Sequence, residues 1–150
     1  MSAEQNKAIV RRFMESYNNR EFEIFEELVA EDYLDHVFEQ RGREHLKQLF
    51  TTAFDAFPDW YEAIEDIIAE GDRVWVRVRA TGTHKGEWDL FGALLPPTGR
   101  AVTLNMVFIW RLEYGKLAEG WEVDSDLGFL KELGVVEYTE LGKPLEEVFR

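Results

Sequence analysis

The chain has 150 residues, 45% of them hydrophobic and 14% aromatic; this is one ordinary domain that can bury its own core, not a disordered chain. It has no cysteine, which excludes a disulfide scaffold, a thiolate zinc site, an iron–sulfur cluster and a cysteine nucleophile. Seventeen Lys and Arg stand against thirty Asp and Glu, a formal charge of −13, so the surface repels phosphate backbones and nucleic acid is not an expected partner.

Ser2 and Gln5 open the first predicted helix as a capping box, each side chain satisfying a free N–H of the first turn. Ile9, Phe13 and Tyr17, with Val10 and Met14 beside them, recur at the helical period. Asn18 and Asn19 break the pattern. Phe22, Phe25, Leu28 and Val29 suggest a shorter helix, with Tyr33-Leu34-Asp35-His36 at its end. Leu46, Leu49, Phe50, Ala53, Phe54 and Phe57 suggest a third, which Pro58 ends.

The period then changes. Residues 60 to 69 are strand-like, and Glu70-Gly71-Asp72 reads as a hairpin turn. Val74, Val76, Val78 and Ala80 alternate with Arg73, Trp75, Arg77 and Arg79 in the cleanest period-2 run of the chain. Residues 85 to 99, with three glycines and Pro96-Pro97, read as a long loop. A long strand follows, with Val102, Leu104, Met106, Phe108 and Trp110 on one face. Its other face is also largely apolar, so it is expected to be central and covered on both sides. Tyr114-Gly115-Lys116 is a turn, Leu117 to Ser125 a last strand and Asp126 to Leu133 a short helix. Helices first and an antiparallel meander after them indicate an α+β domain over residues 1–134. Residues 135–150 form a tail that docks on the body or on a neighbouring subunit.

No phosphate loop, dinucleotide-binding glycine motif or Gly-x-Ser-x-Gly elbow is present. No pair among His36, His45 and His84 is spaced as metal ligands on one helix, and no metal is expected. His45 reads as a solvated surface residue on the third helix. His36 reads as a structural residue or a catalyst. His84 ends a strand beside a long loop, where ligands are met. Glu122, Asp124 and Asp126 alternate near the end of the last strand. They are either a solvated polar face or hold one carboxylate turned into an apolar cavity, where burial raises its pKa and makes it a usable base. Trp121, Trp88, Trp60, Tyr17 and the phenylalanines of the first and third helices can wall such a cavity. No apolar run approaches the length of a membrane span and the N-terminus lacks a signal-peptide shape, so a cytoplasmic protein without a membrane partner is expected.

A series of segments in fixed order resembles the SnoaL-like polyketide cyclase family. This family is also called predicted ester cyclases and belongs to the nuclear-transport-factor-2-like superfamily. The segments are Asn6 to Phe13, Asp32-Tyr33-Leu34-Asp35-His36, Ala56-Phe57-Pro58-Asp59, Ile68 to Val74 and Thr81 to Gly86. Pro96 to Arg100, Gly115-Lys116-Leu117 and Leu127-Gly128-Phe129-Leu130 complete them. The resemblance implies a cone-shaped α+β barrel, with the N-terminal helices packed in the concave face of a curved antiparallel sheet around a hydrophobic pocket. It implies intramolecular aldol-type ring closure of a small hydrophobic carbonyl compound by general acid–base chemistry, with no metal or cofactor. It also implies a homodimer or higher homo-oligomer.

The family pattern runs Trp, three residues, Asp, one residue, Leu-Gly. Trp121 and Leu127-Gly128 fit it, but Ser125 holds the aspartate's place. Alternation puts Ser125 on the Trp121 side and Asp124 and Asp126 on the other, so a β-bulge is expected to turn Asp124 inward. The catalytic set expected is then Asp124 as base with His36 and His84 orienting or donating, His36 facing the pocket. Phe13, Tyr17, Tyr33, Phe54, Trp88, Asn105, Trp121 and Ser125 are the expected pocket residues. The alternative is a non-catalytic binder of a small apolar molecule, because of Ser125; a third is a dimerisation module with an incidental pocket.

Overall fold

The computed structural model describes residues 1–149; Arg150, the end of the expected tail, lies outside the described residues. Helix α1 spans Ala3–Asn18. The capping box is formed as read: Gln5 N–H donates to Ser2 Oγ at 3.1 Å and Ser2 N–H to Gln5 Oε1 at 2.8 Å. Val10, Phe13, Met14 and Tyr17 are buried, and each such burial contributes roughly 1.5–3 kcal/mol. A short 3-10 turn at Phe22–Ile24 leads into α2, Phe25–Leu28.

The second helix is shorter than expected. Val29–Asp35 is a strand, β1, so Tyr33 and Asp35 are strand residues and not the end of a helix. Two-residue β2 (Gln40–Arg41) pairs with it, and α3 runs from Arg43 to Ala56, stopping before Pro58.

The main strands follow as β3 (Tyr61–Glu70) and β4 (Arg73–Thr83). The expected long loop instead contains a small hairpin, β5 (Trp88–Leu90) and β6 (Ala93–Leu95), turned by Phe91 and Gly92 with positive φ. Then come β7 (Ala101–Glu113), β8 (Lys116–Asp124) and α4 (Asp126–Leu133). In the tail, a 3-10 turn spans Lys143–Leu145.

Six strands form one curved sheet in the order β2-β1-β8-β7-β4-β3. The sheet is mixed, not wholly antiparallel, because β1 runs parallel to β8. It is an open α+β cone and does not close into a strict barrel. β7 is central, between β8 and β4. Its inner face is buried, but Val107 and Ile109 on the other face are only half-buried, so helices cover one side and not both. Helix α1 packs on β3 and β4, α3 on β1 and the β5–β6 hairpin, and α4 on β7. The concave face, the helices and the hairpin together enclose the space described next. No helix among the described residues is long and apolar enough to cross a membrane.

Candidate active site

The site is set by the register of the last two long strands. Met106 pairs with Asp124, Phe108 with Glu122 and Trp110 with Gly120. Directly opposed residues share a face of the sheet, and Met106, Phe108 and Trp110 point into the core. Glu122 and Asp124 therefore point inward too, two residues apart on one strand. Gly120 completes the row. A Cβ there would lie 2.0 Å from Tyr33 Oη and 2.7 Å from Trp110 Cδ1, so the missing side chain is what admits the tyrosine hydroxyl.

These residues border a cavity of about 400 Å³. Its walls are largely aromatic and aliphatic, from Phe13, Phe50, Phe57, Trp60, Trp88 and Phe129 among others. Five carboxyl groups also border it: Asp35, Glu62, Glu122, Asp124 and Asp126. Burial pushes Glu122 well above the usual carboxylate range, and adjacent Asp124 pushes it further. Burial also raises Asp124, against the hydrogen bond from Glu122 that lowers it. The two act as one coupled acid pair that holds a proton above the usual carboxylate range. Asp124 Oδ1 is buried without a hydrogen-bond partner.

Glu62 lies on the facing wall, on β3. The Tyr17 hydroxyl donates to it, and Trp60 Nε1 donates at 3.0 Å. Burial raises its pKa to about 7 despite these two donors. Trp110 Nε1 donates to Tyr33 Oη at 3.2 Å. At the other end, Asp35 Oδ1 accepts Val37 N–H at 2.8 Å and Oδ2 pairs with His45 Nε2 at 3.0 Å. Among the described residues, no group of three or more His, Cys, Asp or Glu is arranged to hold a metal ion.

Of the expected catalytic set, the structure brings only Asp124 to the cavity. Asp124 gets there without a bulge, because Trp121 marks the outer face and not the inner one. Trp121 borders the cavity as expected, while its indole stacks on the His36 ring, centroids 4.4 Å apart. His36 thus sits outside the pocket, its Nε2 on Glu119 Oε2 at 2.7 Å; it follows inward-facing Asp35 by one residue, and alternation turns it out. His84 is buried behind the wall, stacked on Phe57, with Thr98 N–H donating to its Nδ1 at 3.3 Å. Burial lowers its pKa.

Phe13, Tyr33 and Trp88 line the cavity as expected. Tyr17 lies behind the wall and reaches it through Glu62. Phe54, Asn105 and Ser125 do not line it. Phe54 stacks on Phe22, with the Arg20 guanidinium 3.6 Å from its ring. Asn105 and Ser125 are exposed and bonded to each other, Asn105 N–H donating to Ser125 Oγ at 3.1 Å and Ser125 N–H to Asn105 O at 3.0 Å. His45 is buried, not solvated, because Asp35 and the rings of Phe38 and Phe91 enclose it.

Sequence reasoning missed Glu62 and the Asp35–His45 pair as site groups. Glu62 meets Tyr17 across 45 residues, and no local pattern announces that. Glu122 did carry a signal: the two-residue spacing to Asp124 puts both on one strand face.

The profile of the SnoaL-like polyketide cyclase family matches residues 7–133. Among solved structures, TsrD from Streptomyces laurentii superposes with a TM-score of 0.80 at 20% identity, covering 91% of this chain and 99% of that one. A SnoaL-like polyketide cyclase from Agrobacterium tumefaciens gives 0.74 at 19% identity, covering 89% and 100%. IdmH from Streptomyces antibioticus gives 0.73 at 27% identity, covering 87% and 99%. No curated protein matches this sequence significantly.

Proposed function

The chain belongs to the SnoaL-like polyketide cyclase family, and we propose that it is a cofactor-independent cyclase or isomerase acting on a small hydrophobic carbonyl compound. The observation that carries this reading is the inward pair Glu122 and Asp124 at one wall of a mostly apolar cavity. A desolvated carboxylate with a raised pKa is a stronger base than one in water. In this mechanism Asp124 removes a proton from the carbon next to the substrate carbonyl. Charge moves to the carbonyl oxygen, and protonated Glu122 donates a hydrogen bond to that oxygen. The enolate carbon then attacks a second carbonyl of the same molecule. One carbon–carbon bond forms, the new alkoxide takes back the proton from Asp124, and no atom is gained or lost.

Proton abstraction can be tested before the substrate is known. A hydrophobic ketone such as 2-tetralone exchanges its α-hydrogens for deuterium when a base removes them, and NMR follows the loss. Exchange above buffer that collapses in Asp124→Asn supports the reading. Saturable binding of the ketone with no exchange above buffer replaces it with the non-catalytic binder.

We also propose that two copies pair through the outer sheet face. Ile68, Trp75, Ile109 and Trp121 are cross-strand neighbours in one row there, and Ile68 and Trp75 are exposed. Arg77–Glu65 and Arg111–Glu119 pairs flank the row on either side, so the face can match itself after a half-turn. Light scattering of the native protein should give twice the chain mass, and Trp75→Glu should give one chain. A native monomer at high concentration removes the proposal.

A further inference from the structure

The polar groups facing the cavity are strongly one-sided. Asp35, Glu62, Glu122, Asp124 and Asp126 border it, whereas no Lys, Arg or His is among the described residues that do. Two cations of the sheet are paired on its outer face, Arg77 with Glu65 and Arg111 with Glu119. The indole donors nearest the acids are also spent within the protein: Trp60 donates to Glu62 and Trp110 to Tyr33. Asp35 is saturated by His45 and two backbone N–H groups. What remains open to an occupant is the Glu122–Asp124 pair, with Asp126 beside it at the cavity border.

An anionic occupant would add like charge to desolvated acids and meet no cation. A neutral one would satisfy the aromatic walls and accept a hydrogen bond from the pair's proton, but would leave the ionised carboxylate without a counter-charge. A cation is attracted by both, because ring faces bind positive charge and an ionised carboxylate attracts it across a low-dielectric cavity without a direct bond, leaving Asp124 free to act as base. From this asymmetry we propose that the natural substrate is an aromatic or polycyclic carbonyl compound carrying a protonated nitrogen. This rests on the reading of the cavity as the reaction site and adds the charge class of what enters it.

Calorimetric titration with naphthylethylamine, naphthylethanol and naphthylacetate tests it, because the three share one apolar body and differ in charge. The amine should bind at least about tenfold tighter than the alcohol, and the acetate weakest of the three. In the double variant Glu122→Gln with Asp124→Asn, the amine should lose its advantage while the alcohol, which also reports an intact cavity, still binds. Equal binding of amine and alcohol overturns the proposal, as does preference for the acetate, an amine preference that survives the double variant, or failure of all three to bind. Ketone exchange by the native protein, combined with equal binding of amine and alcohol, would leave the acid–base function standing and remove only the charge class.

Discussion

Glu119 and Glu122 are three residues apart on β8 and have opposite fates. Glu119 lies on the outer face, where His36 at 2.7 Å and Arg111 at 2.5 Å hold its carboxyl below the usual range. Glu122 lies on the inner face, where burial and Asp124 hold it well above that range. Both are glutamates of the same strand. The side of the sheet decides whether an acid is a neutralised surface group or a reactive one, and alternation along a single strand makes that decision.

The largest expected effect tests this division directly. Asp124→Asn should slow ketone α-exchange by roughly 10²–10⁴-fold, the usual scale of a lost general base, while Glu119→Gln should leave it within about twofold. Equal losses in both would mean that the two faces are not chemically distinct.

Glu62 extends the comparison to the opposite wall. Its pKa rises from 4.5 to about 7 on folding, so the folded chain holds a proton that the unfolded chain has released. Stability should therefore be greatest below pH 4.5 as far as this group is concerned, fall as pH rises to about 7, and level off above. The total is on the order of 3 kcal/mol. Glu122 and Asp124, also raised, act in the same direction. Urea denaturation between pH 4.5 and 8 should show the decline, and Glu62→Gln should flatten it. A slope unchanged in that variant would place the titration elsewhere.

Gly120 sharpens the same contrast sterically. Gly120→Ala puts a methyl group against Tyr33 Oη and Trp110 on the inner face, and should cost about 1–3 kcal/mol, or roughly 3–10 °C in Tm. Val123→Ala, on the exposed outer face, should move stability by no more than about 0.5 kcal/mol. Thermal melts of the two variants check this.

Much of this was legible from the sequence. The capping box, the α1 stripe, the alternation of β4 and the β7–β8 turn depend on residues close in sequence, and those elements appear where expected. β1 was not legible: Tyr33 and Asp35 are buried by β8, which lies more than 80 residues away, and the run itself does not alternate cleanly. The β5–β6 hairpin was hidden by the glycines and prolines around it. In the site, alternation correctly puts Asp124 opposite Trp121, but the family pattern places the pocket on the Trp121 and Ser125 side, and only the pairing of β8 with β7 shows that the Asp124 side is the inner one. The partner of Trp121 on the outer face is His36, a contact across 85 positions that only the fold supplies.

His36 gives the smallest expected effect and the most direct check on that reassignment. Its imidazole is about a third exposed and pairs with Glu119, which Arg111 also holds. An exposed pair of this kind contributes at most about 1 kcal/mol. Because the pairing depresses the Glu119 pKa, that contribution is present above the ordinary carboxylate pKa of 4.5 and fades as pH falls below it. His36→Ala should therefore lower stability at pH 6 by no more than about 1 kcal/mol and at pH 3.5 by less. It should leave ketone exchange within about twofold of native, because His36 does not border the cavity. A tenfold loss of exchange with stability intact would mean that His36 reaches the substrate after all, and that the outer face is part of the site.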